Sequence, residues 1–171
     1  GSTVSEIEKI LSSNKDKFKA QIANDNSEGQ IVLSGKNIDL KNLIEFLKVN
    51  NIKNVKLPVS APFHCELMNK ATDVMRKEIE NMNFQEVKKI LISNVTANEV
   101  SNKEELKKLL VSQIENRVRW RESITNMISK GVNHFIEIGP GKVLSSLVKR
   151  IDKSVKINTI NSESDIKDLV I

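Results

Sequence analysis

Apolar residues near the start of the chain fall at Val4, Ile7, Ile10 and Leu11. Those steps of three, three and one put them on one face of a helix over residues 3–13. Thr3 or Ser2 supplies a hydroxyl to cap it. Between Phe18 and Ile22 apolar and polar residues alternate, the pattern of a half-buried strand. A cluster of turn formers, Asn24 to Gly29, then separates this strand from a second, Ile31-Val32-Leu33, which Gly35 ends. Leu40, Leu43, Ile44, Phe46 and Leu47 return to helical spacing, and Val55 to Val59 forms a third strand.

From His64 onward helix and strand alternate. A long helix is predicted over Leu67 to Met82 and a short apolar strand over Lys89 to Ser93. Helices follow over Glu104 to Ile114, capped by Ser101 or Asn102, and over Arg121 to Ser129, stopped by Gly131. His134 to Ile138 is a strand, Gly141 to Arg150 a helix, Val155 to Ile160 a last strand, and Ser162 to Val170 a terminal helix. Such alternation predicts an α/β layer architecture. In the first part, the order helix, strand, strand, helix, strand is a ferredoxin-like βαββαβ unit without its first strand. That strand sits inside the sheet of such a unit, so its absence leaves two neighbours without a partner.

Composition narrows the function classes. With 171 residues, 39% hydrophobic and 29% charged, the chain has room for one sizeable core or two small ones. Five Phe, one Trp and no Tyr leave the core to Ile, Leu and Val. The excess of 27 Lys and Arg over 22 Asp and Glu favours an anionic partner. The basic residues are interspersed with acidic ones, and no basic stripe interleaved with aromatics is present, which argues against nucleic acid. A single cysteine, Cys65, excludes an internal disulfide and a cysteine-rich zinc site. No apolar run approaches the ~18 residues of a membrane span, and no signal-peptide pattern opens the chain. The expected setting is cytoplasmic, without membrane partners.

Candidate chemistry centres on His64, at the mouth of a proline-punctuated turn, Leu57-Pro58-Val59-Ser60-Ala61-Pro62-Phe63-His64. Imidazole exchanges protons near neutral pH. Cys65 follows directly but points elsewhere on a helix start, so it reads as a small hydrophobe. His134 opens a strand and reads as structural, and Trp120 as a core anchor. Gly139-Pro140-Gly141-Lys142 is not a Walker loop, because Val143 follows the lysine. It is either a tight turn needing glycine or a corner that aims N–H groups at an anion.

Four ordered segments resemble the bacterial-type malonyl-CoA:acyl carrier protein transacylases of fatty-acid synthesis. They are Asn24-Asp25-Asn26-Ser27-Glu28-Gly29-Gln30-Ile31-Val32-Leu33-Ser34-Gly35, then Leu57 to Ser60 with Pro62 and His64. Next comes Gln113 with Asn116-Arg117-Val118-Arg119-Trp120, and last Glu137-Ile138-Gly139-Pro140-Gly141-Lys142-Val143-Leu144 with Leu147 to Ile151. The resemblance implies an incomplete ferredoxin-like small subdomain at 1–58. It implies the C-terminal part of an α/β-hydrolase-like acyltransferase subdomain at 59–171. His64 would be the general base and the main-chain carbonyl of Gln113 its partner, where the residue alone would read as the end of a helix. Asn24, Asn26, Gly139, Pro140 and Gly141 would line the substrate site, although Asn also serves turns through local hydrogen bonds.

The same resemblance implies malonyl-CoA and acyl carrier protein as partners. It implies no metal, and no cofactor other than the coenzyme A thioester as substrate. The family's serine nucleophile lies in a Gly-x-Ser-x-Gly elbow, and no serine here has those flanking glycines. Its oxyanion glutamine and malonyl-binding arginine also fall in a preceding region. An N-terminal remainder of the same enzyme is therefore an expected partner, and the chain alone is expected to be inactive. Glu28 and Arg117 stand where the family usually has prolines. The competing reading is a catalytically silent module that docks an acidic carrier protein.

Overall fold

The computed structural model describes residues 1–167 and Leu169. Helix α1 (Val4–Ser13) opens with a capping box, in which Thr3 Oγ1 accepts from the Glu6 N–H and the Glu6 carboxylate accepts from the Thr3 N–H. Strands β1 (Ala20–Ser27) and β2 (Gln30–Gly35) form an antiparallel hairpin closed by Glu28-Gly29, with Gly29 at φ +71°. Helix α2 (Asn37–Val49) buries Leu43 and Leu47 against Phe18, with Ile10, Leu11, Leu33 and Phe46 around them.

Asn24 and Asn26 lie inside β1, not in a turn as their composition suggested. The strand continues because its far edge finds a second partner. The Asp25 N–H donates to the Val118 carbonyl at 2.9 Å, and the Val118 N–H donates to the Ala23 carbonyl at 2.8 Å. Backbone pairing here overrides the turn preference of Asn and Asp. The third strand expected at 55–59 has no sheet partner, and Val55 is 81% exposed.

A single 3₁₀ turn (Glu66–Met68) leads into α3 (Asn69–Asn81), so the long helix begins tighter than its period predicts. The strand expected at 89–93 is reduced to an isolated bridge between Ile92 and Glu99. Helices α4 (Lys103–Ser112) and α5 (Trp120–Ser129) precede β3 (His134–Ile138), α6 (Val143–Ile151), β4 (Lys156–Ile160) and α7 (Glu163–Lys167). Asn102 caps α4 through its side-chain oxygen, while Ser101 binds the Glu105 carboxylate. Strands β3 and β4 are parallel, joined through α6. A second core of Ile124, Val148 and Val155 forms beneath them, with Trp120, Phe135 and Ile157 packed on it. Of the terminal helix expected over 162–170, α7 covers five residues and Leu169 is not helical; 168 and 170 lie outside the described residues. No described helix is long and apolar enough to cross a membrane.

Candidate functional site

His64 sits at φ +59°, in the left-handed region. For a residue with a Cβ this costs about 1–3 kcal/mol and persists only where the surroundings fix it. They do so here. Cys65 Sγ donates to the Pro62 carbonyl at 3.1 Å, Ser34 Oγ donates to the Phe63 carbonyl at 2.7 Å, and the Glu66 N–H donates to Gln21 Oε1 at 2.8 Å. Cys65 is fully buried, and desolvation pushes its thiol pKa up, with Glu66 and Glu115 adding to the effect.

The His64 ring meets Gln113, its Nδ1 lying 2.8 Å from the main-chain oxygen. A carbonyl can only accept, so Nδ1 carries a proton, and in the neutral ring it is Nε2 that has the lone pair. Gln113 is the C-terminal cap of α4. Carbonyls in the last turn of a helix have no partner within it, and they favour a cation nearby. The Gln113 side chain accepts weakly from Asn94 Nδ2 at 3.4 Å, and the Asn94 carbonyl accepts the Arg119 N–H at 2.8 Å. These contacts tie together segments that are remote in sequence.

Asn24 and Asn26 are half-buried on β1, and neither side-chain amide engages another group among the described residues. Between them, Asp25 is 1% exposed and accepts three hydrogen bonds from Arg121, two from Nε at 3.1 Å and one from Nη2 at 2.8 Å. The Asp25 carboxylate raises the Arg121 pKa, mainly through these hydrogen bonds.

The Gly139-Pro140-Gly141 corner is a turn with φ of +138° and +93° at its glycines, conformations open to a residue without a Cβ. The Gly139 N–H donates to the Ile160 carbonyl and the Gly141 N–H to Asn161 Oδ1. At the start of α6, the N–H groups of Leu144 and Ser145 donate to the Glu137 carboxylate at 3.1 and 2.7 Å. Partial burial pushes the Glu137 pKa up, but the hydrogen bonds from Ser145 and Leu144 outweigh it and hold the carboxyl low. The anion at this helix terminus is the chain's own. Of the two roles open to the corner, the observed bonds are those of a tight turn.

The motif segments contain Ser34, Asp25 and Glu137 without giving them a role, and Gln21 lies outside them. Each carries a signal: a lone polar side chain within or beside an apolar run (Ser34, Glu137, Gln21), or an acid among asparagines (Asp25). Among the described residues no three His, Cys, Asp or Glu side chains converge as a metal would require.

Residues 3–170 match the acyl transferase domain family. The chain is 40% identical over 165 residues to the malonyl CoA-acyl carrier protein transacylase of Staphylococcus aureus (strain COL), covering 96% of this chain and 53% of the relative. It is 38% identical over 148 residues to the protein of that name from Bacillus subtilis (strain 168), covering 86% and 47%. The crystal structure of acyl-carrier-protein-S-malonyltransferase from Bartonella henselae superposes with a TM-score of 0.92 at 38% identity, covering 98% of this chain and 54% of the other. The chain thus spans about half the length of the relatives it matches.

Proposed function

The chain belongs to the acyl transferase domain family, and on that premise we propose that it supplies the base-bearing part of a malonyl-CoA:acyl carrier protein transacylase. The observation that carries this reading is the His64 ring, held at Nδ1 by a main-chain carbonyl so that the neutral ring offers Nε2 as the base.

The chemistry follows from that tautomer. A serine hydroxyl is too weak an acid to attack a thioester unaided and needs a base at hand. His64 Nε2 takes the hydroxyl proton as the serine oxygen bonds to the malonyl carbonyl carbon. The resulting imidazolium is favoured by the Gln113 carbonyl and the C-terminus of α4. As the C–S bond breaks, His64 returns the proton to the coenzyme A sulfur, leaving malonyl on the serine. The same steps in reverse, with the phosphopantetheine thiol of an acyl carrier protein, deliver the malonyl group and restore the hydroxyl.

The serine belongs to an N-terminal remainder of the same enzyme. We read residues 1–58 as a ferredoxin-like subdomain whose first strand comes from that remainder. Among the described residues β2 has an unpaired outer edge and segment 55–59 pairs with no strand, and both features support this. Residues 59–171 then form the C-terminal part of the α/β-hydrolase-like subdomain, where the parallel pair β3–β4 with its α6 crossover is the supporting feature. The unengaged amides of Asn24 and Asn26 suit polar atoms of the substrate. Gly139, Pro140 and Gly141 give that site backbone shape, with the N–H donors of the two glycines already committed. The enzyme would work in the cytoplasm.

Mass-tagged malonyl-CoA and acyl carrier protein test the proposal, with and without the N-terminal remainder. Transfer is expected only with the remainder present and His64 intact. No transfer by the joined protein would leave a carrier-docking module as the better reading.

A further inference from the structure

We propose that Gln21 and Ser34 are positioning residues for His64, a cross-strand pair that grips the backbone on both sides of the ring. The inference rests on the reading of His64 as the base and extends it to the hairpin that holds it.

Gln21 on β1 and Ser34 on β2 are direct partners in the hairpin register. Directly opposed residues project from the same face of a sheet. Ile22 and Leu33, the next pair along, face the other way, and Leu33 packs on the Phe18 core. The two polar side chains therefore leave the hairpin together. Ser34 fixes the carbonyl immediately before His64, and Gln21 fixes the N–H two residues after it.

Ser34 is the one buried residue of β2, and a buried hydroxyl needs a partner. Its partner is the peptide whose orientation sets the φ of His64. The imidazole makes one hydrogen bond among the described residues, to the main-chain oxygen of Gln113 at the C-terminal cap of α4. That contact forms only while the backbone delivers the ring to it. The hairpin supplies the backbone geometry and α4 reads it out.

The chain contains two histidines, which makes nitrogen NMR of the labelled chain a direct test. His134, whose Nε2 lies 2.8 Å from Asn158 Oδ1, serves as an internal control. In the unaltered chain His64 should hold its proton on Nδ1. Ser34→Ala and Gln21→Ala should each lower the ratio of Nδ1–H to Nε2–H tautomers by at least about twofold, the shift that loss of a weak hydrogen bond implies. Ser34→Thr and Gln21→Glu, which keep the donor and the acceptor, should restore it, with His134 unmoved throughout.

An unchanged His64 ratio in folded Ser34→Ala and Gln21→Ala chains would overturn the proposal. Should Ser34→Ala fail to fold, Gln21→Ala at its exposed position decides the question alone. The catalytic reading is tested separately, by His64→Ala in the enzyme joined to its N-terminal remainder. Activity lost there with spectra unmoved here removes the clamp and leaves the base, and the opposite result does the reverse.

Discussion

The carboxylate of Asp25, buried on β1, is gripped through both Nε and Nη2 by the guanidinium of Arg121 on α5. Removing Arg121 leaves a charge with neither water nor partner, the circumstance in which a buried pair costs most. Arg121→Met should therefore destabilise the chain by about 3 kcal/mol, the lower end for such pairs because Arg121 itself is partly exposed. Asp25→Asn in the same background should recover part of that loss, since the stranded charge is then gone. Denaturant melts of the single and double variants give the comparison, and additive losses would contradict a coupled pair.

The contact between His64 and Gln113 uses a ring nitrogen on one side and the main chain on the other. In the enzyme joined to its N-terminal remainder, His64→Ala should reduce acyl transfer by about 10²–10⁴-fold, as for loss of a positioned general base. Gln113→Ala keeps the carbonyl and should cost less than about tenfold, equivalent to 1.4 kcal/mol. Similar losses in the two variants would mean that the side chain of Gln113, not its carbonyl, is what matters.

Glu137 caps α6 from the strand before it. Its folded-state carboxyl lies below the ordinary range, so its contribution is present above the unfolded value of about 4.3 and is lost as pH falls through the folded value. Glu137→Gln should cost about 1 kcal/mol at pH 7 and show a shallower loss of stability on acidification. Parallel acid-melting curves for the two proteins would count against the cap.

Cys65 is buried, and its thiol is held protonated by desolvation. The thiolate is the reactive form. A disulfide reagent should leave the native chain unmodified at pH 8 and label it at once in denaturant. Because the folded pKa is raised, stability should decline as pH climbs past the unfolded thiol value of about 8.5. Rapid native labelling would show that the 62–65 turn opens freely.

Val55, Leu57 and Val59 are exposed in a segment that pairs with no strand among the described residues, and the outer edge of β2 is likewise unpaired there. Covering each such side chain is worth about 1.5–3 kcal/mol. A peptide matching the first strand of the ferredoxin-like unit should raise the melting temperature and suppress self-association. A monomeric chain indifferent to the peptide would place the strand elsewhere.

Helices are the most legible part of the fold in the chain itself. The apolar steps at Val4, Ile7 and Ile10, and the caps at Thr3 and Asn102, are local and need no tertiary help. Strands depend on partners. Asn24 to Ser27 is strand because Val118, remote in sequence, pairs with it, while Val55 to Val59 has the right residues and no neighbour. His64 stands out through its motif, and its ring meets the carbonyl that the family resemblance names. Gln21 and Ser34 show in the sequence only as lone polar residues within or beside apolar runs, and their role is illegible because their partners are main-chain atoms, which carry no residue identity. The Gly-Pro-Gly corner is ambiguous in the sequence because nothing there shows Glu137 folding back onto the N–H groups that follow it.

Strand β1 has consequences for how the chain comes apart. It is paired to β2 along one edge and held at Asn24 and Asp25 by residue 118 along the other, with the Arg121 grip beside them. The hydrogen bonds between β1 and residue 118 therefore cross a division of the chain at residue 58. Heat or force that strips the hairpin from α5 must break these bonds, while the Ser34 and Gln21 bonds to the 63–66 backbone lie on the hairpin's own side of that break. The hairpin and the His64 turn are thus one hydrogen-bonded unit, held to α5 and to residue 118 by a separate set of bonds.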